Sequence, residues 1–276
     1  MKRIMLTALE FGESYNTNRA ICELVMAGRL SAVGCNVTGE YWAKEFYQLR
    51  DVVAWADQET KVGLTICLSA PAIPLSNYYG RFPKKLGEHI SPRPFPPLWQ
   101  QRLRAFFTAL PITAIEGEIA RQIDCFEEYY ARPPQFLALE HNLARFAPLQ
   151  KALVKAAGLM KGRQPALVGP REAPNAESAM ARQTRKQGLQ FHYAGPKLPL
   201  FSSSEDLRSF FWNQLANLRD CEMVFCSPSY PNETAPKSRL FFKGQSAFTT
   251  SRAQHLNFLN SEEFPFMLNE KDLFLF

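Results

Sequence analysis

The sequence predicts an α/β barrel of about seven parallel strands. Short apolar runs alternate with segments of helical periodicity along most of the chain, which is the pattern of a parallel sheet covered by helices. No Gly-rich phosphate loop follows any of these runs, so a closed barrel is favoured over an open nucleotide-binding sheet. The chain has 276 residues and 46% hydrophobic content, enough for one such core. We therefore expect residues 1–276 to form a single domain.

The first part of the chain predicts a β-α-β-α-β succession. Its first helix carries Ile21, Leu24 and Val25 on one face, and Asn16 or Thr17 can cap it. The three strands are expected at residues 3–7, 32–37 and 61–69, and the second helix at residues 42–55.

Regular alternation resumes in the second half of the chain. Helices are expected at residues 115–130, 148–157, 177–187 and 205–218, and strands at residues 135–139, 166–168, 189–193 and 222–226. The aromatic tail, residues 264–276, is expected to pack on the barrel as a final element.

A Pro-rich insertion, residues 70–111, separates these two parts and contains a helix-like stretch at residues 98–110. An insertion of this length is usually a lid, a binding loop or an oligomer contact. Its aromatic side chains could stack on a sugar ring, form the loop's own small core or lie in a dimer contact. They are Tyr78, Tyr79, Phe82, Phe95 and Trp99.

Charge and cysteine usage exclude several classes of protein. The formal charge is +6, but the basic residues are scattered and form no dense run, so no nucleic-acid partner is expected. No stretch approaches the ~20 apolar residues of a membrane span, and the apolar run near the start ends at Glu10, too early for a signal peptide. The six cysteines lie far apart and form no Cys-x-x-Cys pair, which predicts free, mostly buried thiols and a cytoplasmic protein.

Several short motifs stand in an order typical of one family. They are Leu9-Glu10-Phe11-Gly12, Asn18-Arg19-Ala20-Ile21, Gly63-Leu64-Thr65-Ile66-Cys67-Leu68, Gly80-Arg81-Phe82, Arg132-Pro133-Pro134, Pro170-Arg171-Glu172, the run from Gly188-Leu189 to Ala194-Gly195, and Cys226-Ser227-Pro228. In this order they resemble the YdjC/ChbG-type carbohydrate deacetylases, a family that includes hopanoid-biosynthesis-associated members. The resemblance covers nearly the whole chain.

The resemblance implies a NodB-like distorted (β/α) barrel that hydrolyses the acetamide of a small amino sugar. Such enzymes would hold a divalent metal with one Asp and two His side chains. The metal polarises the amide carbonyl and activates water, while a neighbouring carboxylate accepts the proton of that water.

This chain departs from the implied set at nearly every position. Leu9 stands at the general base, Glu10 at the metal-binding Asp, Thr65 at the strand histidine and Ser227 at the late histidine. The segment that would read Asp-x-His-x-His-x-His carries Ala138, Glu140, Asn142 and Ala144 instead. Because a zinc site normally needs three or four converging ligands, the sequence predicts that no metal cofactor is bound.

The remaining polar residues supply the candidate site. Glu10 and Glu140 could form a carboxylate pair at the barrel mouth that binds a metal such as Mg or Zn, or each could meet an arginine or solvent. Neighbouring strand residues point to opposite faces, so Glu140 and His141 cannot both face the centre if their strand continues that far. His192, placed near the end of its strand, is either a ligand contact or a structural histidine.

Four further residues are candidates for ligand binding. One is His141, which could be a relocated ligand or acid, or could face solvent or support a neighbouring ligand. Thr65 and Ser227 occupy two of the vacated positions. Arg171, with Glu172 after it, could contact a sugar-like or anionic ligand, or could form a salt bridge that holds its loop.

Two functions from different classes follow. The first is a non-catalytic protein that binds a small carbohydrate-like ligand or a partner through the vacated site. The second is a hydrolase of N-acetylated amino sugars with a rebuilt acidic site, in which Glu10 and Glu140 act as ligands or as acid and base and His192 assists. A homodimer formed through the Pro-rich insertion is compatible with the first.

Overall fold

A computed structural model gives the architecture of residues 2–76, 93–160, 162, 164–171, 177–200, 203–214, 218–231 and 245–276. Within these residues, seven parallel strands close into a barrel and an eighth strand lies outside it. The strands are β1 (Lys2–Phe11), β2 (Ala32–Cys35), β3 (Lys61–Ile66), β4 (Phe136–Leu139), β5 (Ala166–Pro170), β6 (Phe191–Lys197), β7 (Glu222–Cys226) and β8 (Leu273–Leu275).

Helices surround this barrel. They are α1 (Tyr15–Met26), α2 (Trp42–Trp55), α3 (Leu98–Phe106), α4 (Ile112–Tyr130), α5 (Ala147–Leu159), α6 (Ala179–Lys186), α7 (Ser204–Gln214), α8 (Gln245–Asn260) and α9 (Glu263–Glu270), and a 3-10 helix spans Glu140–Arg145. Among the described residues, none of these helices is long and apolar enough to cross a membrane.

Strand β1 closes the barrel by pairing with β2 on one side and β7 on the other. Thr7 lies opposite Ala32, and Ile4–Ala8 run parallel to Glu222–Cys226. Strand β8 pairs with the beginning of β1, with Lys2 opposite Leu273. The predicted parallel barrel of about seven strands is therefore confirmed, and the aromatic tail packs on it as expected.

Alternation along each strand divides the core into two layers. In β3, Val62, Leu64 and Ile66 pack outward against the helices, whereas Gly63 and Thr65 face the barrel interior. The interior layer contains Met5, Ala32, Phe136, Ala138, Ala166, Val168 and Met223. Gly63 has to lack a side chain, because a Cβ atom there would lie 2.5 Å from the Phe136 ring.

Helix α1 begins earlier than the sequence predicts. Its N-cap is Ser14, whose hydroxyl accepts a hydrogen bond from the Thr17 N–H at 3.2 Å, so the prediction of Asn16 or Thr17 as the cap is wrong. The face predicted to be apolar is buried.

Strand β6 is displaced relative to its predicted position. The N–H of Leu189 still donates to Thr184 O at the end of α6, so the strand starts at Phe191 and continues to Lys197. His192 therefore lies near the amino end of β6, opposite Val168, and its predicted place near the carboxyl end is wrong.

The Pro-rich insertion is described only in part. Residues 77–92 lie outside the described residues, and with them Tyr78, Tyr79 and Phe82. Phe95 is buried, while Trp99 on α3 is 58% exposed. Helix α3 ends at Phe106 rather than at residue 110, because Thr108 turns into the left-handed region with φ 53°.

All six cysteines are free, as the sequence predicts. Four of them are buried, whereas Cys22 and Cys221 are partly exposed.

Candidate functional site

The barrel opens at the carboxyl ends of its strands into a pocket of about 330 Å³. Parallel strands bring their carboxyl ends together at this face, so residues distant in sequence line one cavity. The pocket brings together five of the seven candidate site residues, namely Glu10, Thr65, Glu140, His141 and Ser227. Arg171 and His192 do not belong to its lining.

Glu10, at the end of β1, is held by three neighbours. Its Oε2 lies 2.9 Å from a guanidinium nitrogen of Arg252, and its Oε1 accepts a hydrogen bond from Ser227 Oγ at 3.1 Å. The ammonium of Lys197 lies 3.7 Å from the same Oε1. The carboxylate therefore faces two cations and a hydroxyl donor. The sequence left open a metal-binding carboxylate pair or a contact with an arginine or solvent, and the structure shows the arginine contact.

Arg252 reaches this site from α8, which sequence reasoning did not predict. Its side chain is fully buried and also donates to Thr17 Oγ1 at 2.8 Å and to the carbonyl oxygen of Ser227 at 3.3 Å. A guanidinium without solvent needs a compensating charge and filled hydrogen bonds. Glu10 supplies that charge, so the two residues form one buried electrostatic unit.

His255, one turn further along α8, fixes the backbone of Ser227. Its Nδ1 accepts from the Ser227 N–H at 3.2 Å, and its Nε2 lies 3.0 Å from Pro199 O. These contacts assign the proton to Nε2. Burial lowers the pKa of His255 to about 4, so the ring is neutral near pH 7 and acts as a positioning group.

Glu140 follows β4 directly and supports the neighbouring strand end. Its Oε1 accepts from the Leu68 N–H at 2.6 Å, and its Oε2 lies 3.7 Å from His141 Nε2. Burial is the main reason that the pKa of Glu140 rises to about 6. The pKa of this carboxyl group therefore lies closer to neutral pH than that of an ordinary glutamate.

Glu140 and His141 both line the pocket because β4 stops at Leu139. His141 and Asn142 then adopt left-handed backbone conformations, with φ of 49° and 58°. The two side chains were predicted to point to opposite faces only if the strand continued through them. Because the strand ends in a turn, that condition is not met. Non-glycine residues in this region are strained by ~1–3 kcal/mol each and cluster at functional sites.

Arg171 forms a salt bridge and does not contact the pocket. Its Nη1 lies 3.3 Å from Oε1 of the buried Glu222, and the contact is on the outer side of the sheet. This is the salt bridge that the sequence allowed, and it takes Arg171 away from the pocket. Glu172 lies outside the described residues.

His192 lies deeper in the barrel than a ligand contact requires. Its imidazole is partly buried, and burial together with the charge of Lys61 lowers its pKa to about 4. The shift of β6 explains the discrepancy, because His192 now stands at the second residue of the strand.

Sequence reasoning missed several pocket residues. Asn36 and Lys197 stand at the ends of β2 and β6, and this position alone could have identified them. Arg102 comes from α3 in the insertion, Arg145 ends the 3-10 helix and Glu13 lies in a loop. No sequence signal marks these last three.

The residues present do not fit the divalent metal that the resemblance implies. Among the described residues, no three His, Cys, Asp or Glu side chains are placed to share an ion. Glu10 is already paired with Arg252, and Thr65 offers only a neutral hydroxyl.

In parallel β/α barrels, active and ligand-binding sites are built at the carboxyl ends of the strands, which is the face where this pocket lies. The family model described as YdjC-like protein matches residues 3–270, and the chain belongs to this family. The resemblance found in the sequence motifs is thereby confirmed. No curated protein matches the chain.

Solved structures with a similar fold share little sequence with the chain. A protein from Enterococcus faecalis V583, provisionally assigned to cellobiose-phosphate cleavage, is 16% identical with a TM-score of 0.65, covering 100% of this chain and 97% of that chain. A family 4 carbohydrate esterase from Streptomyces lividans is 10% identical with a TM-score of 0.42, covering 99% and 91%. The peptidoglycan deacetylase PdaC from Bacillus subtilis is 9% identical with a TM-score of 0.44, covering 99% and 87%.

Proposed function

We propose that this chain is a non-catalytic member of the YdjC-like family whose pocket binds a small carbohydrate-like ligand. The observation that carries the proposal is the engagement of Glu10. Its carboxylate, at the position of a metal ligand, is balanced by the buried Arg252 at 2.9 Å and by Lys197 at 3.7 Å. A carboxylate neutralised in this way is a poor metal ligand, because a bound cation would have to compete with a fixed guanidinium.

The remaining catalytic positions support the same proposal. Leu9 stands at the general base and cannot accept a proton. One carboxylate oxygen of Glu140 accepts a hydrogen bond from the Leu68 N–H, a contact that supports the backbone after β3. Loss of a general base alone costs about 10² to 10⁴ in rate, and the loss of the metal set adds to this.

The pocket itself suits a small ligand. Its volume of about 330 Å³ falls in the range of ligand cavities. Its wall combines apolar side chains such as Leu9, Val168 and Phe225 with polar groups at the strand ends. A sugar ring presents the matching combination of apolar C–H faces and hydroxyl groups.

Calorimetric titration tests the binding proposal with N-acetylglucosamine, diacetylchitobiose and glucosamine as probes. We expect at least one of them to bind the wild-type protein. Ala194→Phe should abolish the binding by filling the pocket, since Ala194 lines the cavity and is only partly buried. Ala120→Phe, at an exposed position on α4, is the matched control and should bind normally. Failure of all three sugars to bind would contradict the proposal.

Release of acetate from the same acetylated sugars tests the non-catalytic part. We expect no turnover above the uncatalysed rate with added Zn²⁺ or Mg²⁺, and no saturable metal binding by calorimetry. Turnover at ordinary enzymatic rates that a chelator abolishes would overturn this part and leave the binding result standing.

The Glu140–His141 pair favours a second candidate, a hydrolase with a rebuilt acidic site. The two groups lie 3.7 Å apart in the pocket, and the raised pKa of Glu140 suits proton transfer near neutral pH. This candidate predicts acetate release without added metal that Glu140→Gln abolishes.

A further inference from the structure

Thr65 carries a buried polar group that the fold does not use. The residue is 4% exposed and lines the pocket, and its Oγ1 has no hydrogen-bond partner among the described residues. The hydroxyl lies over Gly34, where an added Cβ would come within 2.4 Å of it. Gly34 offers no side-chain donor or acceptor, which explains why the hydroxyl is unsatisfied.

Among the residues that the structure describes, the other buried threonine hydroxyls are satisfied. Thr7, also on the inner side of the barrel, donates to Met5 O at 3.0 Å. Thr184 donates to Met180 O at 2.8 Å. Leaving a buried hydroxyl unpaired destabilises a protein, so an exception in a pocket wall points to a partner that is not part of the chain.

Asn36 stands beside Thr65 on the same wall. The register pairs Cys35 with Leu64, and the next residue on each strand end is Asn36 and Thr65, both of which line the pocket. The side-chain oxygen of Asn36 accepts from Thr38 N at 3.0 Å and from Thr38 Oγ1 at 2.7 Å. These two bonds fix the amide so that its NH₂ group is the end left for another partner.

We infer that Asn36 and Thr65 form an anchoring subsite that takes a neutral oxygen of the ligand, a sugar hydroxyl or an amide carbonyl. This inference rests on the proposed function and names the wall on which the ligand is held. Asn36 donates through its NH₂ group, while Thr65 donates or accepts through its hydroxyl. A step of χ1 from one staggered rotamer to the next changes the direction of the Thr65 hydroxyl, and through such a step it reaches a ligand in the pocket. Both groups are uncharged, so this subsite does not select a carboxylate or a phosphate.

Two variants remove the subsite without removing its shape. Thr65→Val keeps the branched side chain and loses the hydroxyl. Asn36→Asp keeps the oxygen that binds Thr38 and replaces the NH₂ donor by a second oxygen. Thr7→Val, which removes a satisfied hydroxyl away from the pocket, is the control.

Titration with N-acetylglucosamine should show weaker binding by about threefold to tenfold for Thr65→Val, the value of one neutral hydrogen bond. Asn36→Asp should weaken it at least as much, and Thr7→Val should leave it unchanged. Wild-type binding with an unchanged affinity for both pocket variants would overturn this inference and leave the proposed function intact. Absence of wild-type binding would count against the proposed function and, with it, against this subsite as a sugar site.

Thermal unfolding tests the subsite independently of any ligand. Thr65→Val should raise the Tm by about 2 °C, because it removes an unsatisfied buried hydroxyl, whereas Thr7→Val should lower it by a similar amount. A Thr65→Val protein that melts as far below wild type as Thr7→Val has lost a hydrogen bond within the fold. That result would overturn the inference.

Discussion

At the scale of single residues, the ion pair between Glu10 and Arg252 sets the charge at one side of the pocket. The glutamate arm is one methylene longer than the aspartate of the family motif, and its carboxylate lies against a guanidinium that is fully buried. A buried ion pair contributes little net stability relative to apolar residues of the same shape, but removal of one partner is costly. The pair therefore holds α8 to the end of β1 and keeps both groups in fixed positions.

Replacement of Arg252 by methionine should destabilise the protein by about 3–5 kcal/mol, because it leaves the Glu10 carboxylate without its closest cation. Urea unfolding measures the loss. Addition of Glu10→Gln should recover part of it, since the uncompensated charge is then removed. If the double variant is as unstable as the sum of the single variants, the two residues are not coupled in this way.

Glu140 predicts a dependence of stability on pH. Its pKa rises in the folded protein from an ordinary 4.5 to about 6, so between these pH values the folded state binds more protons than the unfolded state. This contribution is fully present below pH 4.5 and disappears as pH rises through 6, which amounts to about 2 kcal/mol.

The difference in unfolding free energy between wild type and Glu140→Gln isolates this contribution. Wild type should be relatively most stable near pH 4 and should lose about 2 kcal/mol relative to the variant by pH 7. A difference that stays constant across this range would show that the pKa of Glu140 is unshifted on folding, and one that moves in favour of wild type as pH rises would show that this pKa is lowered. Either result would contradict the prediction.

At the scale of elements, the segment after β3 is held by side chains from two helices. Gln122 on α4 accepts from the Cys67 N–H at 3.0 Å and donates to Cys67 O at 2.8 Å. Glu118, one turn earlier on α4, accepts from Leu75 N and Ser76 N at 3.0 and 2.8 Å. Gln101 on α3 donates to Leu68 O at 2.6 Å. These bonds satisfy the buried backbone where a regular strand has ended, and they fix one wall of the pocket.

Replacement of Gln122 by leucine should cost about 1–3 kcal/mol, because the buried Cys67 N–H and C=O lose their partner. Hydrogen exchange should accelerate mainly at residues 67–76, next to the pocket. Asp124→Asn, at an exposed position of the same helix, is the control and should change neither quantity. Uniform acceleration over the whole barrel would mean that Gln122 supports the fold in general and this segment in no special way.

At the scale of the whole molecule, α3 presents an apolar surface to solvent. Trp99, Leu103, Phe106 and Phe107 are between 51% and 72% exposed, and the rings of the two phenylalanines lie 5.2 Å apart. Together they expose roughly 500 Å² of apolar surface, a size at which patches often mark an interface. The helix belongs to the Pro-rich insertion, for which the sequence left open a lid, a binding loop or a dimer contact.

Sedimentation should therefore detect a dimer in which the α3 surfaces of two copies meet, since twofold pairing is the commonest way to cover such a surface. Leu103→Glu and Phe106→Glu should shift the protein to monomer without lowering its Tm, because both side chains are exposed. Trp55→Glu, at an 80% exposed position on α2, should leave the dimer intact. A wild-type protein that is monomeric at all concentrations would contradict this prediction.

Local patterns in the sequence are enough to predict the barrel and the strand ends at which its pocket lies. Period-two and helical patterns are local, so β7 at Glu222–Cys226 and α2 at Trp42–Trp55 match their predicted bounds. The motifs also predict that Glu10, Thr65 and Glu140 follow strands, and these residues line one cavity because parallel strands end at the same face.

The contacts of those residues depend on long-range packing. The pairing of Glu10 with Arg252 depends on how α8 packs against the closed barrel, and no local pattern encodes that contact. His192 lies outside the pocket because Leu189 belongs to the turn after α6, so that β6 begins later than predicted. His141 lines the pocket because β4 ends in a left-handed turn. A shift of one or two residues at a strand end changes the face that a side chain occupies. For this reason the sequence located the pocket, and long-range packing set its chemistry.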